Sequence, residues 1–363
     1  MTQTTDLRPD ARRLFDAAVT AADPALAVRR QLALTPLPQA TGRTVLIAVG
    51  KAAPAMLAEA LRHVSGPHEA LAVTHHENTM PVPGARVLNA GHPVPDAAGA
   101  AAGQAVMELL DGCGPEDQVI ALISGGGSSL LPAPVAGMTL ADKAAVNQVL
   151  LSGGLDIVLM NLVRQQLSQL KGGGFLRRAA PAPVTAFILS DVIGDDLRAI
   201  ASGPTVGPIG TAAEAREMLE AHGLWDKLPV AAQEALAAAR APEPVPEATN
   251  IMVGSNGQSV AAMADVARAE GWDVRVSDRP LVGDVDAAAQ EVLALMAPVK
   301  APTALLFGGE TTVILRGDGR GGRNQELALR VALAAPDLGQ DWLFLSGGTD
   351  GRDGPTDAAG GGG

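Results

Sequence analysis

The chain has no tyrosine and only five phenylalanines and three tryptophans in 363 residues, so it lacks the aromatic platforms on which nucleic-acid bases stack. It has one cysteine, Cys113, which excludes an internal disulfide and a cysteine-built zinc site; a small buried hydrophobe is the expected role of that residue. No apolar run reaches the roughly 18 residues of a membrane-crossing helix. The opening MTQTTDLRPD lacks the charged-then-apolar order of an export signal, and a cytoplasmic location is expected. Basic residues are the minority, 27 against 39 acidic, and the formal charge of −12 repels nucleic-acid backbones and anionic membrane surfaces. A small-molecule partner is expected instead. What is abundant is Ala, Gly and Pro, so the core must be built largely from Ala, Val and Leu. The length exceeds what one hydrophobic core fills, which predicts two domains.

Short β-rich runs alternate with Ala/Leu-rich helical runs, predicting parallel sheets covered by helices. Helices are predicted over 10–22, 53–64, 97–111, 140–151, 156–170, 212–222 and 230–240, with strands over 44–49, 70–74, 118–123 and 184–189. The Pro/Glu-rich stretch 241–248 can continue neither element. It divides the chain into a domain over 1–240, a linker over 241–249 and a second domain over 250–363. That second domain is predicted to open with a βαβα series over 250–253, 255–270, 273–276 and 285–296, then a strand over 304–307. The GGET turn that follows is too short for a crossover helix, so an antiparallel hairpin with 312–315, and hence a mixed sheet, is expected. The terminal AAGGGG has no side chains with which to hold itself in place.

Five segments can carry chemistry. Lys51 follows the strand TVLIAV and Gly50 and opens the helix AAPAMLAEAL, where outward N–H groups and an ammonium make a seat for phosphate. This is no Walker A loop, because Val45 stands where its first glycine belongs and Ala52 replaces its Ser/Thr. The segment ISGGGSSLL puts Gly125, Gly126 and Gly127 directly after a buried strand, with Ser128 and Ser129 beside them. Backbone without Cβ can approach an anion closely, and N–H groups and hydroxyls can donate to it. Asp191, in SDVIGDD, ends the next strand, where open α/β sheets bind ligands; it suits either Mg²⁺ ligation or orientation of an attacking hydroxyl. Asp195 and Asp196 read as turn-forming residues at least as well as ligands.

In FGGETTVILRGDGRGGRNQEL, Glu310 lies in the expected hairpin turn, and Arg323 offers a planar fork to a carboxylate or phosphate. Gly317, Gly319 and Gly322 also spell GxGxxG, the outline of a dinucleotide site. The expected hairpin and the placement of Asp341 before the next strand both oppose that reading. Finally, SGGTDGRDGPTDAAG presents Asp350, Asp353 and Asp357 on a glycine-rich loop; Arg352 and Gly354 occupy positions where an EF-hand needs oxygen ligands, so a loop near Mg²⁺ is preferred to a calcium loop. His75 and His76, adjacent after a strand, point to opposite faces and are read as structural or substrate-proximal.

With these residues assembled, the segments AVGKAAPAM, THHENTMPVPGARVLNAGHPVPD, LISGGGSSLLPAP, LSQLKGGG, LSDVIGDDLRAIASGPTV, GGETTV, GRGGRNQELAL and SGGTDGRDGPTDAAG resemble those of bacterial glycerate 2-kinases, in family order across nearly the whole chain. The resemblance implies a Rossmann-like N-terminal domain, a mixed-sheet α/β C-terminal domain of the MOFRL type, and an active site in the cleft between them. It implies ATP and Mg²⁺ as cofactors, D-glycerate as acceptor and 2-phosphoglycerate as product; a homodimer is one assembly open to the chain, which the sequence does not decide. Lys51 matches the family's catalytic lysine and Arg323 its active-site arginine, with Asp191 as a third catalytic residue. Lys171, Glu310 and Asn324 join the glycine-rich turn in binding, and Asp191 and Asp350 are the metal candidates. Some relatives are labelled hydroxypyruvate reductases, which makes an NAD(P)H-dependent reductase the alternative. Two departures stand out. Gln166 occupies a position where relatives carry histidine, and it can hydrogen-bond but not carry charge. Relatives also continue several dozen residues past DGPTDAAG, so the C-terminal domain is expected to be incomplete relative to the family, with an impaired kinase as a further alternative.

Overall fold

The structure, a computed structural model, describes residues 6–238, 244–299 and 301–363. Residues 241–243 of the predicted linker lie outside the described residues, as do the last two of the helix predicted over 230–240. The chain runs α1 (Arg8–Ala22), α2 (Pro24–Leu34), β1 (Thr44–Val49), α3 (Ala53–Leu61), β2 (His68–His75), β3 (Arg86–Ala90), α4 (Ala97–Asp111), β4 (Gln118–Ser124) and α5 (Gly127–Leu130). It continues through α6 (Leu140–Ser152), α7 (Ile157–Gln166), α8 (Gly174–Ala179), β5 (Val184–Leu189), α9 (Ala212–Ala221), α10 (Val230–Ala237), β6 (Ala248–Gly254) and α11 (Asn256–Ala269). The remainder is β7 (Asp273–Val276), β8 (Leu281–Asp284), α12 (Val285–Met296), β9 (Thr303–Leu306), β10 (Gly309–Thr312), α13 (Arg323–Ala334), β11 (Leu345–Gly347) and β12 (Gly360–Gly362). No helix among the described residues is long and apolar enough to cross a membrane.

Two compact units result: Ala27–Val253, and a second in which the start of the chain, through Leu26, joins Gly254–Gly363. The first is built on a six-stranded sheet in the order β3-β2-β1-β4-β5-β6, and the paired strands from β3 to β5 are parallel. Strand side chains alternate between faces, and both faces here are apolar. Val45, Ile47, Val49, Ala121 and Ile123 pack with α4 and α8, while Leu46, Ala48, Ile120 and Leu122 pack with α2 and α3. A third cluster joins α6, α7, α9 and α10 through Leu150, Val163, Leu219 and Leu236. The helix predicted over 156–170 stops at Gln166 because the chain is drawn into a bridge between Ser168 and Pro134, with Gln169 N donating to Ala133 O at 2.8 Å.

Several expectations are corrected. The strand predicted to open the second series, β6, joins the first sheet beside β5. Val253 sits in one cluster with Leu46 and Phe187, and Thr205 Oγ1 donates to Asn250 Oδ1 at 2.7 Å. The helix α1 packs with the second unit: Leu14 meets the Val260 and Trp272 cluster, and Arg13 Nε donates to Glu270 Oε1 at 2.8 Å. The GGET segment makes no hairpin. β9 pairs with β7 and β10 with β8, both in parallel, so β9 and β10 pair with different partners and not with each other, on either side of a break at 307–308. A Cβ on Gly309 would lie 2.1 Å from Leu281 O, so the glycine admits β8 at close range instead of turning the chain back. The unit is still mixed, because β11 and β12 are antiparallel. β12 is made from the glycine tail, which needs no side chains: its backbone pairs with β11, and a Cβ on Gly360 would lie 2.0 Å from Ser346 O.

Cys113 is half-buried, donating to Leu109 O at 3.3 Å, and burial pushes its thiol up to about 11. Glu59 on α3 is 4% exposed and accepts two hydrogen bonds from Arg29, at 2.9 and 2.8 Å. Arg29, against the opposing effect of burial, holds its carboxyl down at about 2, from an ordinary 4.5. A depressed carboxyl stabilises the fold above the unfolded value and stops doing so as pH falls through the folded value. Chemical unfolding followed from pH 6 down to about 2 is therefore expected to show a loss of stability below about pH 4.5 that Glu59→Gln flattens. An equal slope in the variant would remove Glu59 as its source.

Candidate functional site

In the order β3-β2-β1-β4-β5-β6 the chain leaves β1 toward one side of the sheet and β4 toward the other, so a crevice opens beyond their carboxyl ends. Lys51 stands after β1 and the glycine-rich turn after β4, one on each side of it. The turn and Lys51 are fastened together: Lys51 N donates to Gly125 O at 2.8 Å, and Ala52 N to Ser124 Oγ at 3.1 Å. The Lys51 carbonyl receives Thr74 Oγ1 at 3.4 Å and Asn78 Nδ2 at 3.1 Å, so the THHENT segment braces the same residue. The Lys51 side chain is exposed, and no carboxylate is paired with its ammonium among the described residues.

The three glycines each have a reason. A Cβ on Gly125 would lie 2.1 Å from Asp191 Oδ2, which puts that carboxylate directly against the turn. Gly126, at φ +84°, would meet the His92 ring at 3.1 Å and Lys51 Cγ at 3.2 Å. Gly127 would meet the Ala201 Cβ at 3.0 Å. Lys51, Asp191 and Gly125–Gly127 are thus brought together, and His92 joins them. Burial, with the charge of Lys51 next, holds the His92 imidazole below its ordinary value, so it is neutral near pH 7. Sequence reasoning passed over His92, although it lies in a quoted segment, because nothing in a His-Pro pair announces that it folds back on a glycine.

Ser129 Oγ turns to Gly126 O at 3.1 Å, and Ser128 Oγ meets Ser202 Oγ at 2.8 Å. Lys171 is 4% exposed and donates to Ser128 O at 2.8 Å and Ser128 Oγ at 2.5 Å. Ser202 and Ala201 both hold positive φ, 62° and 50°, a conformation that non-glycine residues take up when their surroundings impose it. Asp196 is engaged by Arg198 at 3.0 Å, as a turn residue would be. Gln166 donates to Gly210 O at 2.7 Å. His76 meets Asp96, which caps α4 by accepting Gly99 N.

In the second unit Arg323 opens α13 and donates to Glu310 Oε1 at 2.8 Å, both side chains nearly half exposed. The Asn324 amide is engaged at both ends: its Nδ2 donates to Asp353 Oδ1 at 3.2 Å and its Oδ1 accepts Ser346 Oγ at 2.8 Å. Asp353 is 2% exposed and takes Asn324 N at 3.0 Å and Gln325 N at 2.8 Å, so its carboxylate caps α13 from 29 residues away. A Cβ on Gly322 would lie 2.2 Å from Asp353 Oδ1, which explains that glycine. Asp350 Oδ1 accepts Arg352 N at 3.1 Å within its own loop. Among the described residues no group of three His, Cys, Asp or Glu side chains forms a metal site; a nucleotide-bound Mg²⁺ takes only one or two carboxylates.

The GxGxxG outline can now be judged on geometry. The hairpin objection falls, since β8 and β10 are parallel. A stronger one replaces it: the Asp353 carboxylate fills the N–H positions of α13 where a pyrophosphate would sit, and Gly317 and Gly319 approach nothing. Replacing Asp353 by Ala should leave Asn324 N, Asn324 Nδ2 and Gln325 N without the carboxylate that accepts them and lower unfolding free energy by about 2–3 kcal/mol, read from the denaturant midpoint. A shift under about 0.5 kcal/mol would show the cap to be dispensable.

Residues 10–237 match the family described as Domain of unknown function (DUF4147), and residues 303–362 match the MOFRL family. A protein of Agrobacterium vitis named "Putative hydroxypyruvate reductase" is 40% identical over 96% of this chain and 81% of its own length. The D-glycerate 2-kinase of Thermotoga maritima is 38% identical over 88% of this chain and 78% of its own length. The crystal structure of glycerate kinase from Thermotoga maritima matches with a TM-score of 0.89 at 35% identity, covering 98% of this chain and 86% of that one.

Proposed function

The chain belongs to the glycerate kinase family that joins a DUF4147 domain to a MOFRL domain, and from that premise we propose that it transfers the γ-phosphoryl group of ATP to the 2-hydroxyl of D-glycerate, giving 2-phosphoglycerate. The observation that carries this reading is the placement of an exposed lysine and a bare glycine-rich turn at the switch point of the sheet, with the Asp191 carboxylate against the turn.

Phosphoryl transfer leaves little covalent chemistry to the protein, so positioning and charge neutralisation carry the rate. Lys51 neutralises charge on the transferring group. The amides of Gly125–Gly127 donate to anionic oxygens, and Asp191 binds Mg²⁺ or orients the acceptor hydroxyl. We assign Arg323 to a phosphate or to the glycerate carboxylate; its exposed pair with Glu310 is weak and readily exchanged. The donor set fits a nucleotide-bound Mg²⁺, with Asp191 as the carboxylate we assign to it and Asp350 as the second candidate; the ion would neutralise phosphate charge.

The test is direct. The full chain is incubated with D-glycerate, ATP and Mg²⁺, and separately with hydroxypyruvate and NADH. ADP formation with a 2-phosphoglycerate signal in phosphorus NMR is expected. NADH consumption without ADP would replace the kinase with the reductase, and a 3-phosphoglycerate signal would correct the position of transfer.

A further inference from the structure

Three cations of the first unit lie within electrostatic reach of one another: Lys171, which meets Ser128, Lys143 on α6 and Arg164 on α7. Buried or half-buried cations are ordinarily paired with carboxylates. Here none is. Lys171 is held only by neutral oxygens, those of Ser128 and, at 3.3 Å, Ser202 Oγ. Arg164 gives Nε to Asn147 Oδ1 at 2.9 Å and keeps its other N–H donors, while Lys143 has no hydrogen bond or ion pair among the described residues. Among the described residues no acid is paired with any of the three.

The electrostatic consequence is visible in both lysines. Burial, with the charge of Arg164 behind it, pushes Lys143 down to about 8. Burial, then the charges of Lys143 and Arg164, holds Lys171 well below the ordinary lysine range. A second, independent observation lies beside them. Asn161 is 1% exposed and accepts Ser202 Oγ at 3.0 Å on Oδ1, yet its Nδ2 has no acceptor. Buried donors without acceptors cost about 1–3 kcal/mol. Every one of these groups lacks the same thing, an anionic oxygen.

We propose that Lys143, Arg164, Lys171 and Asn161 form an oxyanion subsite adjoining Ser128, which takes the carboxylate of the acceptor acid or a phosphate group of the nucleotide. The identity of the ligand rests on the kinase reading; the existence of the subsite does not.

The experiment measures binding without turnover. Isothermal titration of the full chain with D-glycerate, ATP and inorganic phosphate is compared for the parent, Lys143→Met, Arg164→Met and Lys171→Met, with Lys143→Arg as the conservative control. At least tenfold weaker binding is expected in Lys143→Met and Arg164→Met, with Lys143→Arg within about threefold of the parent. Loss confined to D-glycerate assigns the carboxylate; loss for ATP and phosphate assigns the phosphate. Because Lys143→Met also removes a repelling charge, its melting temperature without anion should equal or exceed the parent's, even if Lys171→Met fails to fold. Failure of the parent to bind any probe, or binding within twofold in both Lys143→Met and Arg164→Met, overturns the subsite. Anion binding that the variants lose, in a chain that makes no ADP, would sink the kinase and leave the subsite standing.

Discussion

Replacing Lys51 by Ala is expected to lower kcat by about three orders of magnitude, the scale on which removing a group aimed at a developing anion operates. Stability should hardly change. The Lys51 side chain is exposed, and the features that fix the turn are backbone contacts: the amide to Gly125 O, the carbonyl to Thr74 and Asn78. None of them involves the ammonium. Lys51→Arg keeps the charge but spreads it over a fork of different reach, so partial recovery is expected. Steady-state kinetics with ATP and D-glycerate, alongside a thermal melt, check both halves. A variant within threefold of the parent in kcat would remove Lys51 from the chemistry, and a melt lowered by many degrees would show it to be structural.

Gly50→Ala should act through the fold. Gly50 holds φ +127°, and a Cβ there would lie 2.1 Å from Ser124 Oγ, 2.5 Å from Ser124 O and 2.7 Å from Ser124 C. Two of those atoms are backbone of the neighbouring strand, so no rotamer change relieves the overlap. Backbone strain of about 1–3 kcal/mol and overpacking of similar size add to a destabilisation of about 3 kcal/mol or more. Denaturant unfolding reads it as a large drop in midpoint. The variant should also lose turnover, since separating β1 from β4 moves Lys51 away from Gly125. A midpoint close to the parent's would show that the strand ends yield more easily than their contacts suggest.

The sequence was most legible where a residue's surroundings are local. Continuous apolar runs at 44–49, 118–123 and 184–189 announced strands buried on both faces. Three glycines in succession announced a close approach, and the carboxylate that approaches Gly125 came from Asp191, already marked as a strand end. What escaped was long-range. β3 at the sheet edge and the four-residue β8 carry too few apolar positions to stand out. The GGET segment looked like a turn because glycine pairs usually are; only its neighbour across the sheet shows that Gly309 makes room for β8. Asp353 read as one acid of a loop near Mg²⁺ and is a helix cap, a role hidden from local reading because its partners lie 28 and 29 residues back. Asn161 and Ser202 gave no sign at all, since an unpartnered buried amide is defined by what surrounds it in space.

The docking of α1 on α11 sets an order of events during synthesis. The ribosome releases the first helix more than two hundred residues before the glutamate that Arg13 grips, 257 positions later, has been made. In that interval all of Ala27–Val253 can emerge and collapse around its own sheet, while the leading helix waits with its apolar side unsheltered. A helix made early is then among the last segments to settle. A tag or deletion at the amino end would therefore register at the far end of the polypeptide, and a fragment starting at Gly254 would leave the Val260 and Trp272 cluster without the helix that shields it.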